Sequence, residues 1–489
     1  MSTVENKNSN KLDKKIIDIL VVTAILLGFR ILPAPGALTA TGMLVIGCFI
    51  SVLYSWVMRS GGWLSLLVFC YYCMSSGVGY TQSMASALGN ANVMVLIFAL
   101  CFVGAMRETG LTNFMANKIL SLGFVKKGPY ILQATFLVAA WLTAGITQAM
   151  PAVMAVLFAI LTEAEEKMGL EKNSKYTVLT GIGIAIACGL GIASVPWCYT
   201  LASFKGLISG SGLATDFNDL HFNLLHIAAF ALLTIAILLL TKIVMGNKID
   251  MEKFKSMELG TVKVSFTTQM GWAIGAIGVL LIGMMLPPLI KAENSVMSAI
   301  RLIGPAGSFA LATIVMCIAP DGKTKGVGIF DFGKKMQASI EWSMMWNISI
   351  IMFLGGLMSN AELTGVSSFL GAIFSPLTQM NSTIAIMLLG VIACAVTNFM
   401  SNTIVMVIFS VLAIPICNGD PRLMAAASLA ILLGANIAVA MPSASFTGTF
   451  LHSQGHMFKP KDLIVWGYIE SMICVVIGMA VLALMIPVL

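Results

Sequence analysis

The chain has 489 residues, of which 58% are apolar and 10% charged, and its formal net charge is +7. Its mean hydropathy of +0.95 is that of a chain made mostly of apolar segments, whereas a soluble domain carries about 25% charged residues. Composition therefore excludes a soluble globular protein and predicts an all-α polytopic membrane protein. At about 20 residues per apolar helix plus connections, the chain has room for about 11 spans.

In chain order, the first half (1–244) begins with a polar segment and no clean cleavage site, so its first apolar tract is predicted to be a span and not a removed signal peptide. Two later tracts contain polar interruptions. The tract at about 130–161 contains TAGITQAMP and is predicted to be a re-entrant hairpin. The tract at about 177–212 contains GLGIASVPWCYT and is predicted to be a broken helix.

A charged segment, 245–268, is predicted to be a cytoplasmic linker to the second half, 269–489. There the same pattern returns. The tract at about 378–416 is interrupted by NFMSNT and predicts a second re-entrant hairpin. The tract at about 423–452 is interrupted by AVAMPSASFTG and predicts a second broken helix.

The distribution of lysine and arginine supports hairpins that enter and leave on one side. With two such hairpins, every cluster of positive charge falls on one side of the membrane, and the other side keeps only Arg30, Lys205, Lys291, Arg301 and Arg422. By the positive-inside rule, the N-terminus is predicted to be cytoplasmic and the C-terminus outside. The cytoplasmic (inner) membrane is the predicted location.

Three landmarks recur in one order at nearly constant offset. RETGLTNF resembles AELTGVSSF at an offset of 255, GITQAMPAVMAVLFAIL resembles FMSNTIVMVIFSVLAIP at 254, and GIASV resembles PSASF at 251. Recurrence of this kind indicates an internal repeat. Because the two hairpins would enter from opposite faces, the halves are predicted to have inverted topology, which is typical of secondary transporters.

The interrupted segments are the candidate binding site. Irregular backbone at membrane depth is tolerated only where it is buried in protein or lines a wet cavity. Helix N-termini carry partial positive charge that suits an anion, while Asn402 and freed carbonyl groups offer oxygen ligands for a small cation. No lysine or arginine lies near these interruptions, so hydroxyl groups would supply the remaining donors: Thr147, Ser194, Ser401, Thr403, Ser445 and Thr447.

The repeat order, the SNT of the second hairpin and AMPSASFTG followed by FLHSQGHMFKPKDLIVWG resemble the divalent anion:sodium symporter family, within the wider ion-transporter superfamily, over essentially the whole chain. The resemblance implies a homodimer with scaffold and transport domains, an elevator motion, and a di- or tricarboxylate or, less often, sulfate as substrate. It also implies that Ser401, Asn402 and Thr403 contact a substrate carboxylate and one sodium ion, and that Ala444 and Ser445 form the adjoining turn.

The first half departs from that family pattern. A first sodium site would fall on Gln148 and Ala193, but the hairpin reads Thr147, Gln148 and Ala149 in place of Ser-Asn-Thr, and the proline pairs of both broken helices are missing. Glutamine is one methylene longer than asparagine. A sodium-independent anion exchanger and a proton-coupled anion permease are therefore alternatives to a sodium symporter.

Other function classes fit less well. Four histidines and no Ser/His/Asp or His/Glu cluster leave no catalytic set, so the chain is predicted not to be an enzyme. A channel would repeat its re-entrant loop in parallel around a pore, unlike the inverted hairpins here. The remaining partners are a small anionic substrate, sodium and lipid; no cofactor and no nucleic acid are expected. The cysteines are predicted to be free thiols, and the lone His226 and Glu470 to snorkel, pair between helices or have a functional role.

Overall fold

The computed structural model is helical throughout the residues that it describes, which confirms the all-α fold class. It describes the chain except residues 1, 59–61, 122–126, 199–200, 202–203, 207, 209–212, 214–217, 247–253, 255–264, 290–293, 323–326, 341, 359, 374–379, 400–401, 442–443, 453 and 455–456, and the side chains of some helical residues, Thr403 among them. Within the described part, strand pairing is limited to one isolated bridge between Pro320 and Gly328.

The helices of the first half, as far as the structure describes them, are α1 (Ser2–Ile31), α2 (Ala40–Val57), α3 (Gly62–Ser76), α4 (Tyr80–Leu88), α5 (Ala91–Glu108), α6 (Leu111–Leu120), α7 (Pro129–Thr147), α8 (Met150–Lys167), α9 (Lys175–Ala193) and α10 (Asp219–Met245). Those of the second half are α11 (Thr268–Leu289), α12 (Ser295–Ile318), α13 (Phe332–Ser339), α14 (Trp342–Met358), α15 (Ala361–Thr364), α16 (Val366–Ile373), α17 (Ser382–Thr397), α18 (Asn402–Cys417), α19 (Pro421–Asn436), α20 (Phe446–His452) and α21 (Pro460–Met485).

Five of the described helices are long and apolar enough to cross a membrane: α7, α9, α10, α12 and α21. The pair α4 and α5, bent by 50°, adds a sixth if it is one span. Other described helices are apolar but shorter. Helices α17 and α18 have 16 residues each, or about 24 Å of rise, less than the roughly 30 Å of a hydrocarbon core. The count of about 11 spans stays a prediction.

The helices pack in two groups. In the first, α2, α3 and α14 pack together with α1 and α4, while α5 packs with α12 and α13 and α12 packs with α11. In the second, α7 packs on α9 and α17 packs on α19, with α10 and α21 joining the two pairs. Helix α9 is buried along its whole length, so it is the central helix of the second group. All four interrupted tracts of the sequence belong to this second group.

The first repeated landmark has the same local structure in both halves. Gly110 and Gly365 both have left-handed φ angles, of 72° and 66°, which glycine adopts without the cost that a Cβ would bring. Before each glycine, a threonine hydroxyl oxygen accepts a hydrogen bond from the following helix: Thr109 from the Leu111 N–H at 3.2 Å and Thr364 from the Val366 N–H at 3.4 Å. Each half therefore uses the same Thr-Gly turn to start a short helix.

The ten cysteines are free thiols, as predicted. Some of the polar contacts between the halves involve lysine side chains. Lys175 Nζ lies 2.5 Å from Asp462 Oδ1, and Asn173 Nδ2 donates to Asp462 Oδ2 at 2.7 Å. Lys335 Nζ lies 3.1 Å from Glu108 Oε2. These pairs join residues that the distribution of lysine and arginine assigns to one side of the membrane.

Candidate functional site: two hairpin turns and two helix breaks

The first hairpin turns at Gln148. This residue ends α7 in the left-handed conformation, with φ of 55° and ψ of 21°, and its N–H donates to the Ala144 carbonyl at 2.8 Å. A left-handed residue is a common way to end a helix, although glycine is the usual choice. Helix α8 then starts at Met150, with Pro151 in its first turn, where the fixed φ of proline suits helix initiation.

The side chain of Gln148 is buried with one atom unsatisfied. Its Nε2 donates to the Gly145 carbonyl at 2.6 Å, but its Oε1 has no hydrogen-bond partner in the structure. The neighbouring Thr147 is also buried, and its hydroxyl donates to the Thr143 carbonyl at 2.7 Å. Because the Thr147 proton is committed within α7, the free acceptor at this turn is Gln148 Oε1.

The first helix break is held against this hairpin by two tryptophans. Helix α9 ends at Ala193, and the Ser194 hydroxyl donates to the Leu190 carbonyl at 2.7 Å while accepting from Trp141 Nε1 at 2.9 Å. Trp197 Nε1 donates to the Gly145 carbonyl at 3.2 Å. The structure therefore brings Thr147, Gln148 and Ser194 into one neighbourhood.

Asn223 satisfies the carbonyl groups of the first break, a role that the sequence analysis missed. Its Nδ2 donates to the Ala193 carbonyl at 2.8 Å and to the Val195 carbonyl at 3.1 Å. The Ala193 oxygen, predicted as a first-half sodium ligand, therefore already accepts one hydrogen bond and keeps one lone pair. The only sign of this role in the sequence was an asparagine near the start of α10, a largely apolar helix.

The second hairpin has a longer turn. Helix α17 ends at Thr397 and α18 begins at Asn402, so the predicted Ser401 lies outside the described residues, as does the side chain of Thr403. Asn402 is partly exposed at the first position of α18. By helix ends, Thr147 pairs with Thr397, a separation of 250, whereas the sequence offset of 254 pairs it with Ser401.

Asn398 links the second hairpin to the second break and was also missed from sequence. It is fully buried; its Nδ2 donates to the Cys394 carbonyl at 2.8 Å and its Oδ1 accepts from the Ala440 N–H at 3.0 Å. It follows the end of α17 as Gln148 follows the end of α7. Both turns thus carry a buried primary amide that binds a carbonyl of its own helix, but only Asn398 has its amide oxygen satisfied.

Ser445 and Thr447 organise the start of α20. The Ser445 hydroxyl donates to the Ala438 carbonyl at 2.7 Å, accepts from the Gly448 N–H at 3.0 Å and lies 2.9 Å from Thr447 Oγ1. Ser445 is therefore the N-cap of this short helix. Ala444 is buried, and its N–H donates to the Met441 carbonyl at 3.1 Å, which closes the turn that the resemblance predicts next to the sodium ion.

The two breaks lie close together across the repeat. A Cβ built on Gly189, one turn before the end of α9, would lie 3.5 Å from the carbonyl oxygen of Asn436, where α19 ends. Helix α20 packs on α9 and α8. No Asp, Glu, Lys or Arg occurs in 129–161, 176–204, 382–417 or 423–458. The convergent groups are therefore helix ends, amides, hydroxyls and carbonyls.

A cavity of about 510 Å³ lies elsewhere, between α1, α2, α3, α4 and α14. Its lining includes Arg30, Tyr72 and Gln82, and none of the predicted site residues lines it. The hairpins and breaks remain the candidate functional site because the interrupted backbone itself requires a polar environment.

Replacing Asn398 with alanine is expected to lower the free energy of unfolding by about 1–3 kcal/mol, because the buried Ala440 N–H loses its acceptor. The measurement is the thermal unfolding midpoint of the purified protein in detergent. The control is Asn113→Ala, which changes an exposed asparagine of α6 and should stay within about 0.5 kcal/mol of the parent. Equal shifts for the two variants would contradict the bridging role of Asn398.

No protein-family model matches the chain, and no curated protein matches it. Among solved structures, it is similar to the Alcanivorax borkumensis YdaH transporter, whose crystal structure is described as having an unusual topology. The TM-score is 0.57 at 15% sequence identity, covering 84% of this chain and 88% of that chain. The chain therefore has the fold of a membrane transporter and, with its apolar helices, is a multi-pass membrane protein.

Proposed function

We propose that this protein is a secondary active transporter that carries small organic anions, di- or tricarboxylates, across the cytoplasmic membrane with sodium as the coupling ion. The observation that carries the proposal is Gln148 Oε1, a buried amide oxygen without a partner at a hairpin turn. A buried acceptor left unpaired costs about 1–3 kcal/mol. A small cation relieves that cost, and interrupted transporter helices coordinate sodium through such oxygens.

The anion would be held without a fixed positive side chain. Helices α8 and α18 both begin at the hairpin turns, and a helix N-terminus carries about +0.5 elementary charge. Ser401, Asn402 and Thr403 on one side would supply the remaining contacts, and Thr147 on the other would join them once its hydroxyl releases the Thr143 carbonyl. Without a buried lysine or arginine, the empty site avoids an uncompensated charge, which favours release of the anion.

In the proposed transport cycle, one of the two packing groups of helices would move relative to the other. Helices α7 to α10 and α17 to α21 form the group that holds the interruptions, and α1 to α5 with α11 to α14 form the other group. In the proposal the group that holds the interruptions is the transport domain and the other group is the scaffold of an elevator-type homodimer, and the halves 1–244 and 269–489 are inverted repeats. The N-terminus would be cytoplasmic, and the family would be that of the divalent anion:sodium symporters.

Asn402→Ala tests the site. The variant is expected to lose uptake of labelled succinate in proteoliposomes while remaining folded and dimeric, because Asn402 stands at the first position of α18 beside the predicted sodium ligands. The matched control is Asn381→Ala at the outer end of the same hairpin, where the Asn381 side chain caps α17. That control should lose about 1 kcal/mol of stability and keep uptake. Normal uptake by Asn402→Ala would remove the site assignment.

A further inference from the structure

Glu470 of α21 is fully buried, and neither oxygen of its carboxyl group has a hydrogen-bond partner in the structure. The structure therefore contradicts snorkelling to the membrane edge, which the sequence left open for this residue. Glu165 shows the contrast. It is also buried, but its Oε1 accepts from the Thr177 hydroxyl at 2.7 Å and from the Ser174 N–H at 3.2 Å.

The carboxyl group of Glu470 lies at the seam of α7, α9 and α10. A Cβ built on Gly183 of α9 would lie 3.7 Å from Glu470 Oε2 and would also touch the side chains of Leu137 and Ile237. This position is inside the helix group that holds the hairpins, near the middle of α9 and ten residues from its broken end. An ionised carboxylate here would be surrounded by alkyl groups, at a cost of several kcal/mol.

No cationic side chain compensates Glu470 among the described ion pairs. On α21 and α17 the titratable groups beside it are the thiols of Cys474 and Cys394, the latter 3.7 Å from the Ser471 carbonyl. Among the buried titratable side chains of α9 and α10, the Tyr176 hydroxyl donates to the Pro129 carbonyl and the Cys188 thiol to the Ala140 carbonyl. His226 Nδ1 bonds to the Phe222 carbonyl, and its Nε2 has no partner in the structure.

A second buried acceptor without a partner, Gln133 Oε1, lies about one helical turn from the side chains that surround Glu470. Gln133 and Thr241 stand four residues from Leu137 and Ile237 on the same two helices, which is about 6 Å along each axis. Gln133 Nε2 donates to Thr241 Oγ1 at 2.9 Å, and Gln133 Oε1 is buried without a partner. The Tyr176 hydroxyl lies further in the same direction. Beyond it lies Asp462, which precedes Glu470 by eight residues, or about 12 Å along α21. Buried polar groups thus lead from the Lys175–Asp462 pair towards the carboxyl group.

We propose that Glu470 is a proton-binding site of the transport cycle, an inference that rests on the proposed transport function. In the packing described, the carboxyl group is neutral and carries the proton. When the seam of α7, α9 and α10 opens towards the Asp462 side, the carboxyl O–H bond breaks, the proton passes to water and the electron pair stays on the carboxylate. Closing the seam reverses the step, so a change of conformation is linked to one proton.

Glu470→Gln tests this proposal, because the amide mimics the neutral carboxyl group and cannot release a proton. Net succinate uptake into proteoliposomes and succinate counterflow are measured as a function of pH. The wild type is expected to change in net uptake by about tenfold per pH unit on one limb of its profile. The variant should lose net uptake by about tenfold or more, keep counterflow, and show counterflow that does not depend on pH.

The matched control is Glu165→Gln, a buried glutamate whose Oε1 accepts two hydrogen bonds, which should keep the wild-type profile. Infrared spectroscopy gives a readout that needs no substrate: the stretching band of a protonated carboxyl group at neutral pH should be present in the wild type and in Glu165→Gln but missing in Glu470→Gln. If the wild type transports none of the tested anions, the proposed function fails and this band still decides whether Glu470 holds a proton. An unchanged band together with a wild-type pH profile in Glu470→Gln would overturn the inference.

Discussion

Gln148→Ala is expected to abolish the sodium stimulation of anion uptake. The substitution removes Oε1, the buried oxygen without a partner, together with the bond from Nε2 to the Gly145 carbonyl. Glutamine and alanine both carry a Cβ in the left-handed conformation found here, so the substitution changes the backbone strain little. The measurement is initial uptake of labelled succinate into proteoliposomes with and without an inward sodium gradient.

Gln148→Asn is the matched variant for this position. Asparagine adopts the left-handed conformation readily and keeps a primary amide, one methylene shorter. It should remain folded and keep part of the sodium stimulation, with a weaker apparent affinity for sodium. Stimulation that is as strong in Gln148→Ala as in the parent would show that the first hairpin turn does not bind the ion.

Gly191→Ala is expected to lower the free energy of unfolding by about 1–3 kcal/mol, as overpacking does. A Cβ at Gly191 would overlap the backbone carbonyl of Trp141, so α7 would have to move away from α9. The second half repeats the arrangement, because a Cβ at Gly434 would overlap the carbonyl of Gly390. Gly434→Ala should therefore separate α17 from α19 at a similar cost, as measured by the thermal unfolding midpoint in detergent.

Gly275→Ala is the control for these two variants. Gly275 lies within α11, and nothing lies within 4 Å of a Cβ built there. Alanine in a helix interior is favoured over glycine by up to about 1 kcal/mol, so this variant should be neutral or stabilised. If Gly191→Ala and Gly434→Ala melt like Gly275→Ala, the close approach of the paired helices is not what holds the hairpins.

The turn after α7 was predictable because polar residues interrupt a tract that is otherwise long and apolar, whereas the re-entrant topology of the two hairpins stays a prediction. Thr147 and Gln148 mark the first turn, and the structure ends α7 there. The second turn was less accurately placed, since the SNT motif drew attention to 401–403 while α17 ends at Thr397. A motif identifies the residues that start α18, but the end of the preceding helix depends on the hydrogen bonds of Asn398, which are tertiary.

The roles of Asn223, Asn398 and Glu470 could not be derived from sequence. Asn223 and Glu470 lie in largely apolar helices and Asn398 directly follows one, and polar residues in such positions also serve as hydrogen-bonding links between helices. Asn223 and Asn398 turned out to satisfy carbonyl and N–H groups of the breaks, whereas Glu470 has no partner. The distinction depends on which helix each residue faces, and that is fixed only when the helices pack.

The most direct test of the central claim is uptake of labelled succinate by the wild-type protein in proteoliposomes, with and without an inward sodium gradient and with citrate and sulfate as competitors. The account predicts uptake that the sodium gradient stimulates and that citrate reduces. Uptake that depends only on internal anion would contradict sodium coupling and indicate an exchanger. No uptake of any of the three anions would contradict the assignment of a small organic anion as substrate.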